Sequence, residues 1–150
     1  MRLTLRLARS SDIPAMHRLR LSVRENSLGA SSGIGHASYV PFVDSAAAWV
    51  AYRDQQLAGF AAVERDTQTI WTLFVAPEAE RQGVGSALLR EMLSWAAGAG
   101  LDRLRLSTAA GTRAEAFYRA AGWREAGFTP QGELRFEYLL SSADKPSAQD

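Results

Sequence analysis

Residues 70–89 read IWTLFVAPEAERQGVGSALL and join two kinds of hydrophobic pattern. The first part, Ile70–Val75, is apolar on both faces, as expected for a central strand that is covered on both sides. Ala76-Pro77-Glu78 ends that strand, because proline cannot donate to the hydrogen-bonding ladder. Val84 then begins a helix in which apolar residues recur at helical spacing as far as Ala96. The stretch therefore predicts a buried strand followed by an amphipathic helix.

The junction between strand and helix, residues 80–86, reads ERQGVGS and contains two glycines. Glycine lets the backbone approach a ligand closely, and the first amide N–H groups of a helix have no partner inside it. The helix dipole adds partial positive charge and Arg81 adds a full one, so the junction predicts a phosphate-binding site. A P-loop would need a lysine before Ser86, and the dinucleotide fingerprint would need glycine at Leu88. On these residues alone, a turn that merely begins a helix is the alternative.

The flanking sequence supplies further strands and helices. Period-two alternation, helical spacing and polar turns predict these elements. Before the central pair they are a strand at Leu3–Leu7, a helix that is capped by Ser10, Ser11 or Asp12 and ends near Arg24, a short helix at His36–Ser45, and a hairpin of Ala47–Tyr52 and Leu57–Glu64. After the central pair they are a strand at Leu101–Leu106, a helix at Arg113–Ala121 and a closing hairpin of Trp123–Phe128 and Leu134–Leu140. This order predicts one α/β domain over residues 1–140, with a mixed sheet and helices on both faces. Residues 141–150 are polar, and we expect them to form a disordered tail.

Composition narrows the class of protein. The 150 residues are 47% hydrophobic and 22% charged, which is typical of one globular domain. The formal net charge of +1 gives no general attraction for nucleic acid or anionic membranes. The absence of cysteine excludes disulfides, cysteine-ligated zinc and a cysteine nucleophile, and with only two histidines we expect no metal site. No leader pattern or run of eighteen apolar residues occurs, so we expect a cytoplasmic protein without a nucleic-acid or membrane partner.

Two stretches carry a resemblance to a known family. Residues 70–89 resemble motif A of the GCN5-related N-acetyltransferases (GNAT), and residues 112–123, TRAEAFYRAAGW, resemble motif B. The predicted order of elements is also similar from Leu3 to Leu140. The resemblance implies the family's twisted mixed sheet and transfer of the acetyl group of acetyl-CoA to a primary amine of a small molecule, amino acid or peptide. It implies that the pyrophosphate of acetyl-CoA is held by Arg81, Gln82, Gly83, Val84, Gly85 and Ser86.

The resemblance also implies roles along the central strand and motif B. A bulge near Phe74 and Val75 would free backbone groups to bind the pantetheine arm, and Thr112 and Phe117 would be further cofactor contacts. Tyr118 matches the general acid that protonates the departing thiolate. A phenol, with a pKa of about 10, can supply that proton as charge develops on a thiol with a pKa of about 8.5. The alternative is that Tyr118 is simply a packed aromatic residue.

Three positions depart from the family pattern: Glu80 stands where Arg or Gln is usual, Gly111 replaces an asparagine, and Thr69 replaces a glutamate that serves many members as base. An amine with a pKa near 10.4 must lose a proton before it attacks, so a base is needed. Glu25 is the candidate, with a water chain or a solvated charge as the alternatives.

The acceptor side is the least specified by the sequence. Arg24 and Asn26 would orient the acceptor, and Tyr39 and Trp71 would line its pocket, with core packing as the alternative for the aromatic residues. Without cysteine, direct attack in a ternary complex is expected. A non-catalytic acyl-CoA-binding or sensing module is the alternative function, and an oxygen nucleophile or a longer acyl chain stays open. The closing hairpin would allow a homodimer.

Overall fold

The computed structural model describes residues 3–23 and 34–140. Its elements are β1 (Leu3–Leu7), α1 (Ile13–Ser22), α2 (His36–Asp44), β2 (Ala48–Arg53), β3 (Gln56–Glu64), β4 (Thr69–Val75), α3 (Val84–Gly98), β5 (Arg103–Thr108), α4 (Arg113–Ala120), β6 (Arg124–Phe128) and β7 (Leu134–Leu139). Short 3₁₀ turns at Ser10–Asp12 and Pro77–Ala79 follow β1 and β4. The predicted site residues Arg24, Glu25 and Asn26 and the predicted tail lie outside the described residues.

Seven strands form a mixed sheet in the order β1-β2-β3-β4-β5-β7-β6. β1, β2 and β3 pair in antiparallel fashion, as do β5, β7 and β6. β4 is the fourth strand of the order and pairs with β5 in parallel, with Thr69 opposite Arg105. The predicted α/β class and the central place of the strand that begins residues 70–89 are therefore confirmed.

The chain divides into two compact units, Met1–Glu64 with Trp71–Met92 and Arg65–Ile70 with Leu93–Asp150. Each unit has its own buried side chains. In the first these include Met16, Tyr39, Val50, Phe60 and Leu88, and in the second Leu104, Trp123, Leu134 and Phe136. The single domain expected over residues 1–140 stays a prediction.

One boundary difference from prediction lies between α3 and β5. The strand begins at Arg103 rather than Leu101, because Leu101 is part of the capping motif that follows α3. Gly100 has a φ of 83°, its N–H bonds to Ala97 O at 3.1 Å, and the N–H of Leu101 bonds to Ala96 O at 3.0 Å. This is the Schellman arrangement that satisfies the last carbonyl groups of a helix.

Two further differences lie near the start of the chain. α1 ends at Ser22 rather than near Arg24, and the N–H of Val23 bonds to Arg20 O at 3.3 Å. Leu7, predicted to face the interior of a half-buried strand, is 46% exposed at the end of an edge strand. No helix within the described ranges has the length and apolar character to cross a membrane.

Candidate functional site

The junction between β4 and α3 has an unusual backbone. Arg81 has a φ of 66° and Gly83 a φ of 83°, both in the left-handed region that favours glycine and strains other residues. Gly83 O accepts the first bond of α3, from the N–H of Ala87 at 3.0 Å. The amide N–H groups of Val84–Ser86 therefore have no acceptor inside the helix. The exposed residues of the stretch 80–86 are Glu80, Arg81, Gln82, Gly83 and Ser86. The predicted phosphate site thus offers helix-terminal donors beside an exposed arginine.

A close contact between three elements holds this junction in place. At Gly59 on β3, a Cβ atom would stand 2.8 Å from Phe74 O, 2.9 Å from Val84 Cγ1 and 3.2 Å from Leu88 Cδ1. Only glycine therefore fits between the end of β4 and the first turn of α3. Val84 and Leu88 are buried, with 2% and 0% of their surface exposed, so the first turn of α3 is anchored in the core.

The alternation of β4 is interrupted between Trp71 and Phe74. Residues three apart on a regular strand lie on opposite faces of the sheet. Both ring centres nevertheless lie 4.9 Å from the guanidinium carbon of Arg20 on α1, so both rings lie on one face. The regular alternation of β4 is therefore broken between these two residues, and the bulge itself stays a prediction. The interruption lies next to Phe74 and Val75, where the bulge is predicted.

Thr112 caps the N-terminus of α4. Its Oγ1 accepts a hydrogen bond from the N–H of Glu115 at 3.3 Å and donates one to Ala109 O at 2.7 Å. The Glu115 carboxylate accepts in turn from the N–H of Gly111 at 2.6 Å. A capping role therefore explains this threonine, and its contact with the cofactor stays a prediction.

Tyr118 lies on α4 and is 7% exposed. Its ring packs edge-to-face against Phe117 and Trp123, with ring centres 5.0 and 5.4 Å apart. Burial raises the pKa of the Tyr118 phenol far above its ordinary value, because the charged form loses its hydration. The hydroxyl therefore keeps its proton across the neutral range, and the raised pKa makes it a weaker acid than a free phenol. Its role as the general acid stays a prediction.

Arg20 on α1 is a buried cation that the sequence pattern did not single out. It is 5% exposed, and its Nε donates a hydrogen bond to Tyr39 Oη at 3.0 Å. Its Nη2 is buried and has no hydrogen-bond partner. Over residues 3–23 and 34–140, no carboxylate forms an ion pair with it. The available signal was its place in the helix, four residues after Met16 on the buried stripe of α1.

The Tyr39 hydroxyl joins Arg20 to His17. It lies 3.1 Å from His17 Nδ1, and because Arg20 donates to its oxygen, its own proton is available for that nitrogen. Burial, with the charges of His36 and Arg20, lowers the pKa of His17, so the imidazole is neutral at pH 7. Tyr39 is fully buried and its ring packs edge-to-face with Trp71, 5.4 Å between centres. Two of the predicted acceptor residues are therefore brought together around Arg20.

Asp12 forms a second buried polar cluster, which the sequence predicted only as a helix cap. It is 4% exposed and accepts hydrogen bonds from Arg6 at 2.8 and 3.0 Å, the N–H of Arg9 at 2.7 Å and Tyr52 Oη at 3.1 Å. Burial alone raises the pKa of the Asp12 carboxyl, but these donors outweigh it and lower the pKa below its usual range. Within the described part of the chain, no three histidine, aspartate or glutamate side chains group as a metal site.

Comparison with known proteins agrees with the fold. The family model for the acetyltransferase (GNAT) family matches residues 16–123, more than half of the chain. The chain therefore belongs to the GNAT acetyltransferase family. A search of curated proteins found no match.

Solved structures share the fold at low sequence identity. The ribosomal-protein-S18-alanine N-acetyltransferase of Escherichia coli is 20% identical, with a TM-score of 0.72 over 93% of this chain and 95% of that one. The PaiA N-acetyltransferase of Thermoplasma acidophilum, in complex with coenzyme A, is 18% identical, with a TM-score of 0.74 over 93% and 99%. The N-acetylglutamate synthase of Neisseria gonorrhoeae, complexed with coenzyme A and N-acetyl-glutamate, is 21% identical, with a TM-score of 0.77 over 94% of this chain but 36% of that one.

Proposed function

We propose that the protein transfers the acetyl group of acetyl-CoA to a primary amine by direct attack in a ternary complex. The observation that carries the proposal is the junction before α3, where the left-handed Gly83 precedes three amide groups without helical acceptors. Such a helix start binds phosphate oxygens, and Arg81 is exposed beside it. Membership of the GNAT family, together with coenzyme A in two related structures, supports acetyl-CoA as the ligand.

In this proposal each group has one task. Arg81 and residues 82–86 bind the pyrophosphate, and the backbone at Phe74 and Val75 binds the pantetheine arm and polarises the thioester carbonyl. The neutral amine attacks that carbonyl, a C–N bond forms, the C–S bond breaks, and the nitrogen, positively charged after the attack, gives its extra proton to water. The Tyr118 hydroxyl gives its proton to the leaving thiolate and is later reprotonated from water. The amine first loses a proton, for which Glu25 is the proposed base.

A matched pair of substitutions at Gly83 tests the phosphate site. Nothing lies within 4 Å of a Cβ atom placed there, and asparagine and aspartate both tolerate a positive φ better than other residues. The two side chains differ in charge and hardly in size. We expect Gly83→Asp to weaken acetyl-CoA binding at least about tenfold relative to Gly83→Asn, measured by isothermal titration, because like charges repel. Equal affinities in the two variants would contradict the assignment of the pyrophosphate to this junction.

Removal of one hydroxyl tests the role of Tyr118. Tyr118→Phe should lower kcat about 100-fold or more, the usual contribution of a general acid, and leave the KM for acetyl-CoA nearly unchanged. Tyr138→Phe is the matched control, because Tyr138 also packs against Trp123, with ring centres 5.6 Å apart, and has no proposed role in the reaction. An unchanged kcat in Tyr118→Phe would remove Tyr118 from the chemistry.

A further inference from the structure

The positive charge of Arg20 is only partly compensated. A guanidinium keeps its charge at all ordinary pH values, and an ion buried away from water is costly unless it has a partner. Tyr39 accepts one hydrogen bond from Nε, and the rings of Trp71 and Phe74 lie near the guanidinium carbon. These groups offer dipoles and ring electrons but no negative charge. The partnerless Nη2 therefore indicates that an anion from outside the described residues completes the site.

The surrounding rings show from which side that anion arrives. Tyr39 is fully buried, whereas Trp71 and Phe74 each keep part of their surface exposed. Of the three rings around Arg20, the two that keep exposed surface therefore both belong to β4. The same strand ends at Val75, where the thioester is proposed to bind. An anion at Arg20 would lie beside the strand that aligns the cosubstrate.

We propose that Arg20 binds a carboxylate of the acceptor, so that the acceptors are small amines that also carry a carboxylate, with free amino acids as the simplest class. This proposal rests on the proposed function. A guanidinium and a carboxylate form charge-assisted hydrogen bonds, and these are stronger where aromatic walls exclude water. With its carboxylate at Arg20, the acceptor presents its amine along β4 toward the backbone of Phe74 and Val75.

Paired acceptors test the proposal on the unaltered protein. Alanine against alaninamide removes the α-carboxylate, and glutamate against glutamine removes a side-chain carboxylate. We expect kcat/KM, measured as free thiol released from acetyl-CoA, to favour the acid at least tenfold in one pair, and that pair identifies which carboxylate binds. The amine of alaninamide loses its proton more readily than that of alanine, so amine reactivity alone favours the amide. Equal kcat/KM values within both pairs would overturn the proposal.

Substitutions of Arg20 locate the effect. Arg20→Lys keeps the charge but loses the planar pair of donors, and Arg20→Met removes both. The KM for the preferred acid should rise at least tenfold in Arg20→Lys and further in Arg20→Met. Arg18→Lys, on the exposed side of the same helix, should leave it unchanged. A KM that rises equally for the acid and its amide would show that Arg20 only supports the fold, which overturns the proposal.

A binding measurement separates this proposal from the acetyltransferase assignment, because it needs no turnover. A carboxylate bound at Arg20 offsets the charge that lowers the pKa of His17, so that pKa should rise when alanine or glutamate is added. The imidazole resonances of His17 report it by NMR, with alaninamide and glutamine as controls. Failure of acetyl-CoA to bind would contradict the proposed function, but the response of His17 to the acid would still be evidence for a carboxylate site. No response of His17 to either acid, or a double-mutant cycle that couples Arg20 to Glu25, would overturn the carboxylate site.

Discussion

Asp12 and Arg20 are both almost fully buried and both charged, yet their surroundings differ. Asp12 has donors from Arg6, Arg9 and Tyr52, two of them from the guanidinium of opposite charge. Arg20 has one acceptor, aromatic rings and an amino group with no partner. The hydrogen bonds and the counter-charge of the Asp12 carboxylate are supplied within the described residues, and those of the Arg20 guanidinium are not all supplied there.

The difference separates a charge that supports the fold from one that is available to a ligand. A buried ion whose hydrogen bonds are all formed stabilises the fold only together with its cluster. Removal of the ion leaves its partner groups buried without hydrogen bonds. A buried ion with an open position costs stability, and a function is the usual reason to retain it. We therefore expect the free energy of unfolding to respond differently when each charge is removed: it should fall at Asp12 and change little or rise at Arg20.

The largest effect is expected at Asp12. Asp12→Asn should lower the free energy of unfolding by about 3 kcal/mol, because the amide leaves the Arg6 guanidinium without its counter-charge and places a donor against donors. Urea denaturation measures the loss. Asp54→Asn, in an exposed turn, is the matched control and should stay within about 0.5 kcal/mol. A loss at Asp12 no larger than at Asp54 would mean that the cluster does not support the fold.

The pH dependence of stability tests the same carboxylate. The pKa of Asp12 is lowered in the folded protein from an unfolded value of about 3.9. Its contribution should therefore be complete above about pH 4 and disappear as the pH falls through the lower, folded pKa. The difference in unfolding free energy between the wild type and Asp12→Asn should shrink below about pH 4. A difference that is constant from pH 7 to pH 3 would contradict the lowered pKa.

A smaller effect is expected at Arg20. Arg20→Met should change the free energy of unfolding by less than about 1 kcal/mol or raise it, because methionine fills a similar space without a buried charge. The same urea titration measures it. A loss as large as that of Asp12→Asn would show that Arg20 already has an anionic partner in the free protein, and the contrast between the two residues would fail.

The smallest effect concerns His17. Its pKa is lowered first by burial and then by the charges of His36 and Arg20, so Arg20→Met should raise it part of the way toward its ordinary value. Asp12→Asn should leave the His17 pKa unchanged, because Asp12 is not among the groups that shift it. NMR titration of the imidazole measures both. A His17 pKa that is unchanged in Arg20→Met would mean that the guanidinium lies farther from His17 than their common contact with Tyr39 implies.

The parts of the fold that local patterns determine were predictable. The strand over residues 70–75, the glycines of residues 83–85 and the helix that follows are encoded within twenty consecutive residues, and the structure has them there. The start of β5 was placed early because Leu101 reads as strand by its apolar character, whereas the left-handed Gly100 keeps it with α3. Such a cap is a backbone hydrogen-bonding property that apolar spacing does not reveal.

The surroundings of Arg20 were less predictable because their residues come from distant parts of the chain. Tyr39 and Trp71 could be named from their aromatic character, but not their common contact with Arg20. Tyr52 meets Asp12 across forty residues of sequence. Tertiary contacts of this kind depend on how α1, α2 and the strands pack, and hydrophobic periodicity identifies only which faces are buried. A charged residue at a buried helical position was the one sequence signal for Arg20.

The most direct test of the account is the release of free thiol from acetyl-CoA by the purified protein, with and without an amine. We expect thiol release that depends on the amine, is much lower in Gly83→Asp than in Gly83→Asn, and is fastest with an acceptor that carries a carboxylate. Saturable binding of acetyl-CoA without amine-dependent release across amino acids, their amides and simple amines would contradict it and leave an acyl-CoA-binding module.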